Sequence, residues 1–177
     1  MIPVKNLFLI LATLCFIIVI GGGVYEHVVM VPTWSAAPPS SLSMFNGKYG
    51  INPAPFWMMI HPLTIVLLIV SLITNWNNNR RKSILFVLVS YFLVLVATAI
   101  FFVPELISIT GTPYQDMVDP SLLKRASTWE ILSLLRLVFI TALGIILLNA
   151  LTKSNSAVIL EKVTTVPLNY ENDSMGG

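Results

Sequence analysis

The sequence predicts an all-α fold: a bundle of four transmembrane helices with both termini cytoplasmic and two long, ordered loops on the outer side. Three observations predict it. Of the 177 residues, 56% are hydrophobic and only 10% charged, with a mean hydropathy of +0.85. A soluble globule carries about a quarter charged residues, so a soluble enzyme is excluded. The apolar residues fall into four blocks, each long enough at about 1.5 Å per residue to cross a hydrocarbon layer roughly 30 Å thick. Basic residues divide unevenly between the connections: Lys5, Arg80, Arg81, Lys82, Lys153 and Lys162 on one side, Lys48, Lys124 and Arg125 on the other. That imbalance puts both termini inside.

The first helix is expected over 7–30, after Lys5 and Asn6. A secretory signal is the competing reading, but the run is long for one and ends in Glu26 and His27 without a small-x-small cleavage site. Gly21, Gly22 and Gly23 let a neighbour approach its backbone. The second helix, 55–76, opens at Pro53 and Pro55 and contains Pro62. The Asn75–Lys82 turn leads into the third helix, 83–103, which Pro104 closes. The fourth, 128–152, begins with Ser127 and Glu130 as a capping box. Residues 31–54 and 104–127 form the outer loops, the first rich in proline and aromatic residues like an ordered cap. Residues 1–153 thus make one transmembrane domain, and 154–177 a polar, partly disordered cytoplasmic tail. The cell membrane is the expected location.

The single cysteine, Cys15, precludes an internal disulfide or a cysteine zinc site. With a net charge of +2 and no basic block, nucleic acid is not a partner. The bilayer and a small hydrophobic ligand are, and a homo-oligomer is open.

Ionisable groups cost about 2.5–3.5 kcal/mol each inside a bilayer, so their placement carries the functional signal. Glu26 and His27 lie at the outer end of the first helix, and Glu105 at that of the third. His61 lies ~9 Å below the outer start of the second helix and Arg136 ~12 Å below that of the fourth, with Glu130 in its first turn. All six fall in the outer half, which describes a pocket opening outward. Tyr91, Leu95, Thr98, Phe102 and Glu105 share a face of the third helix, as do Trp129, Ser133 and Arg136 on the fourth, and Trp57, His61 and Thr64 on the second. Trp57, Tyr91, Thr98, Trp129 and Ser133 are therefore the expected substrate contacts.

His61 is the candidate base, beside the backbone that Pro62 disrupts. Arg136 can clamp an anionic oxygen, or instead pair with Glu105 or Glu130. Glu26, Glu105 and Glu130 are candidate bases, or solvated carboxylates at helix ends. Trp34, Trp57 and Trp129 also fit an aromatic belt at the interface. No metal-binding motif is present, so a metal ion or haem rests on His27 and His61 alone.

Val31-Pro32, Val103-Pro104-Glu105 and the Trp129 to Arg136 segment resemble the anthrone-oxygenase-like family of small four-helix membrane proteins, over residues 7–151. The longer first outer loop and Glu105 depart from its pattern. The resemblance implies an oxygenase that oxidises an activated aromatic or polyketide-like carbon with molecular oxygen and no dedicated cofactor. His61 or a glutamate would remove a proton, and Arg136 would hold the enolate. Two alternatives stand beside it: a haem- or metal-dependent enzyme using His27 and His61, and a lipid or quinone carrier or accessory subunit without chemistry. The direction in which Glu26, His61, Glu105 and Arg136 face discriminates a pocket from a partner interface.

Overall fold

The computed structural model describes residues 4–153; the tail and the Lys162 used for orientation lie outside them. It is all-helical among the described residues, and four helices are long and apolar enough to cross a membrane: Asn6–Ser35, Ala54–Thr74, Arg81–Thr110 and Pro120–Thr152. The chain is thus a multi-pass membrane protein.

Three of the four spans run past the limits of their apolar blocks, and each extension has a local cause. A proline inside a helix lacks an N–H, and its ring strikes the carbonyl four residues back. Before Pro32 and before Pro104 the backbone relieves this by widening into one π-helical turn, Glu26–Met30 and Thr98–Phe102. The Val31 N–H bonds to the Glu26 carbonyl and the Val103 N–H to that of Thr98. Neither helix stops. Pro104 therefore does not close the third span, which continues to Thr110.

The fourth span starts earlier than its apolar block because Asp119 caps it, accepting from the Ser121 and Leu122 amides ahead of Pro120 at the first position. Those amides and the Ser121 hydroxyl hold the Asp119 carboxyl below the usual carboxylate range, the hydroxyl most of all. Ser127 and Glu130 consequently lie inside a continuous helix, and their expected capping box does not form.

The spans pack in a ring, each against the next, with the fourth closing on the first. Two apolar cores result. The bundle core gathers Leu9, Phe16, Leu68, Ile84, Val87, Leu143 and Leu147. Gly144 lets the first and fourth spans touch, since a Cβ there would lie 2.6 Å from the Ile20 side chain. A second core forms where the extended helix ends meet the 3-10 turn Ser40–Phe45: Val31, Trp34, Leu42, Ile109, Leu122, Ala126 and Trp129. This cap is the ordered outer segment the sequence implied, built from helix ends as much as from loop.

At the opposite end Arg80 is buried, 7% exposed, and ties the termini to the 75–80 turn. Its guanidinium donates to Asn6 Oδ1, to the Leu151 carbonyl and twice to the Lys153 carbonyl. Both ends of the described chain therefore lie at one end of the bundle.

Candidate functional site

Between the two cores lies a band of polar side chains. On the second span the Trp57 ring stacks on the His61 ring, centroids 5.1 Å apart and 19° from parallel. Trp57 Nε1 donates to Glu26 Oε1 at 2.6 Å. Gly22 makes this approach between spans feasible, because a Cβ there would stand 2.7 Å from Phe56 and 3.2 Å from Trp57. His61 Nδ1 meets the hydroxyl of Tyr91, a fully buried residue on the third span, at 2.7 Å. The Phe16 ring of the bundle core packs on Tyr91 from below.

Arg136 enters this band from the fourth span. It donates from Nη1 to Thr98 Oγ1 at 3.0 Å and from Nη2 to Ser133 Oγ at 2.9 Å, with its guanidinium 4.2 Å over the Phe102 ring. The guanidinium is close enough to Glu26 and to His61 to act on both electrostatically. It makes no ion pair among the described residues, where the one ion pair joins Arg125 to Glu105. Of its five N–H groups, three have no partner among the described residues. A guanidinium so placed is a fixed donor fork for an incoming oxygen.

The structure brings together Glu26, Trp57, His61, Tyr91, Thr98, Ser133 and Arg136, and separates the other candidates. Glu105 leaves the group because the π turn below it adds a residue to the helix, so Glu105 is no longer in phase with Thr98. It pairs at 2.8 Å with Arg125 on an exposed face. Glu130 is bound by Ser35 at 3.1 Å, so neither carboxylate pairs with Arg136. Trp129 and Trp34 are buried in the cap, edge to face at 5.5 Å, with Trp129 Nε1 donating to the Phe102 carbonyl. They belong to the buried cap core and not to an interfacial belt. His27 adjoins the band. Its Nδ1 bonds the Gly23 carbonyl at 2.8 Å, and its Nε2 is buried with no partner among the described residues.

Sequence reading missed Thr64 as a working residue, although it shares the His61 face. Its side chain is fully buried, and its hydroxyl donates to the Ile60 carbonyl at 2.7 Å. Among the described residues no three His, Cys, Asp or Glu side chains converge, and each imidazole bonds another group through Nδ1. No protein-family model, curated protein or solved structure matches the chain.

Proposed function

We propose that the band between the cores binds a small, weakly acidic hydrophobic molecule and oxidises it with molecular oxygen. The observation that carries this reading is the gathering of Glu26 on Trp57, His61 on Tyr91, and Arg136 on Thr98 and Ser133 in one band, with three guanidinium N–H groups uncommitted among the described residues. The resemblance to anthrone oxygenases points the same way. The basic-residue count puts the termini in the cytoplasm and the band in the outer half of the cell membrane. The proposed access is from the lipid, alongside the stretch of the third span beyond Phe102 that packs on the fourth. A neutral substrate suits this route, because an anion would meet the full cost of the hydrocarbon.

The chemistry follows from the residues present. His61 removes a proton from an activated CH2 flanked by aromatic rings, and the Arg136 fork stabilises the oxygen of the resulting enolate. The enolate carbon reduces and bonds oxygen, giving a peroxide that takes up the proton from His61. Loss of the second C–H proton with water leaves a ketone, so one CH2 and one O2 become one C=O and one H2O. Glu26, fixed by Trp57, balances the Arg136 charge before the substrate ionises. Inward convergence of the three groups supports a pocket over a partner interface.

The test is oxygen uptake and quinone formation from anthrone by the protein in lipid nanodiscs. Wild type is expected to turn over, with His61→Ala and Arg136→Ala reduced about 10²-fold or more. Equal turnover in both variants, or none above empty nanodiscs in wild type, removes the oxygenase reading. Saturable anthrone binding without turnover would instead favour a carrier.

A further inference from the structure

We infer that His27 is a hydrogen-bond acceptor subsite of the band: the Gly23 carbonyl fixes its ring so that Nε2 offers a bare lone pair to the neutral hydroxyl of a bound phenol- or enol-type molecule. The occupant rests on the reading of the band as the site of a weakly acidic hydrophobic molecule; the state of the ring does not.

One contact decides the tautomer. His27 Nδ1 lies 2.8 Å from the carbonyl oxygen of Gly23, four residues back on the same span. A carbonyl oxygen only accepts, so the proton of that hydrogen bond sits on Nδ1. A neutral imidazole carries one N–H, and Nε2 is therefore an acceptor. That acceptor is buried and meets no donor among the described residues. An unpaired buried acceptor costs free energy, which is recovered when a donor arrives. Because the atom is enclosed, bulk water does not supply that donor, and an occupant parts side chains to reach it.

The place of His27 in the bundle joins it to other incomplete groups. The first span meets the second at Gly22, where a Cβ would touch Phe56 and Trp57, and one turn outward Glu26 accepts from Trp57. It meets the fourth at Gly23, where a Cβ would stand 2.8 Å from Leu137, and one turn outward is His27. The first and fourth spans run antiparallel, since Phe16 and Ile20 pack at Gly144, Gly23 at Leu137, and Trp34 on Trp129. One turn outward of Leu137 on the fourth span is Ser133, so His27 and Ser133 stand at one level. Ser133 Oγ accepts from Arg136 Nη2 there, and Arg136 keeps three N–H groups uncommitted among the described residues. This level therefore offers donors from Arg136 and an acceptor in His27 Nε2. A neutral hydroxyl answers both, its oxygen accepting from Arg136 and its proton going to His27. An ether or quinone oxygen has no proton to give, and an anion has already lost it.

Nitrogen NMR of the 15N-histidine-labelled full-length protein in nanodiscs, at about pH 8 where imidazole is ordinarily neutral, reads the ring directly. The chain has two histidines, so the signals missing from His27→Phe, or kept in His61→Gln, belong to His27. Wild-type His27 is expected to show a protonated Nδ1 and a bare Nε2. Saturating 2-naphthol should move the Nε2 signal into the hydrogen-bonded range. The ether 2-methoxynaphthalene, similar in shape but without the proton, should leave it in place. Wild type should bind 2-naphthol about tenfold tighter than the ether, after correction for partition into empty nanodiscs, and His27→Phe should lose that preference. A structural role alone would weaken both probes equally. A protonated Nε2 in the wild type, no movement with 2-naphthol, or equal movement with both probes overturns the inference, and these wild-type spectra decide even where His27→Phe does not fold. Binding of either probe is read without oxidation. A 2-naphthol-dependent shift with no turnover of anthrone would sink the oxygenase reading and leave the subsite standing, and turnover with no shift would do the opposite.

Discussion

Two arginines of the bundle, Arg80 at one end and Arg136 between the two cores, are used in opposite ways. Arg80 spends four N–H donations on the Asn6 side chain and the carbonyls of Leu151 and Lys153. Those carbonyls end the fourth span, where the helix dipole favours a cation. Its acceptors are parts of the fold, so the charge is consumed in fastening three chain segments together. Arg136 spends two N–H groups on the hydroxyls of Thr98 and Ser133 and rests its face on Phe102. Hydroxyls bring no charge of their own, so Arg136 is held in place without being neutralised by contact. A saturated guanidinium is a clasp; the proposed function makes the unsaturated one a receptor.

The sharpest break of this comparison is Arg136→Met, expected to lower anthrone turnover by about 10²- to 10³-fold while shifting the thermal midpoint little. Arg80→Met should do the reverse. Loss of its charged hydrogen bonds leaves buried acceptors bare and costs about 3 kcal/mol, near 10 °C in Tm for a chain of this size, with kcat per folded molecule retained. If Arg80→Met leaves Tm unchanged, or Arg136→Met lowers it as far, the distinction fails. Gly144→Val in the bundle core forces Ile20 aside and should cost about 2 kcal/mol, again with turnover retained. Glu105→Gln breaks only an exposed pair and should change stability by under about 1 kcal/mol, with activity unaffected. A large loss of activity there would return Glu105 to the site.

The smallest effect is the pH response of the fourth-span cap. The Asp119 carboxyl is held below its ordinary value in the fold, so the unfolded chain binds that proton first as pH falls. The capping contribution is complete above about pH 4 and is lost as pH drops through the lower folded value. Asp119→Asn should flatten the acid limb of a Tm-against-pH curve.

Four apolar blocks were legible because the bilayer demands them. The convergence of Trp57, His61, Tyr91, Thr98, Ser133 and Arg136 was legible from phase. Helix ends were not. Apolar blocks report where lipid is, whereas the backbone hydrogen bonds of the fourth span continue through polar Lys124 and Arg125 to the Asp119 cap. Glu105 was misassigned because an extra residue in a π turn leaves no mark on a 3.6-residue count. Arg80 was read as one basic residue in a solvated turn, since nothing local signals that Asn6 and Lys153 arrive from distant parts of the chain to receive it. Trp129 and Trp34 matched an interfacial pattern, and only the fold reveals that they are roofed by Leu42 and Leu122.

Each widened turn has a counterpart in heredity. One extra residue rotates everything beyond it by about 100°, so Glu26–Met30 and Thr98–Phe102 divide their helices into halves with separate angular frames. A descendant that lost Val29 would keep its bundle and swing Trp34 out of the cap. The same loss near Ile100 would swing Ile109 of the third span away from it.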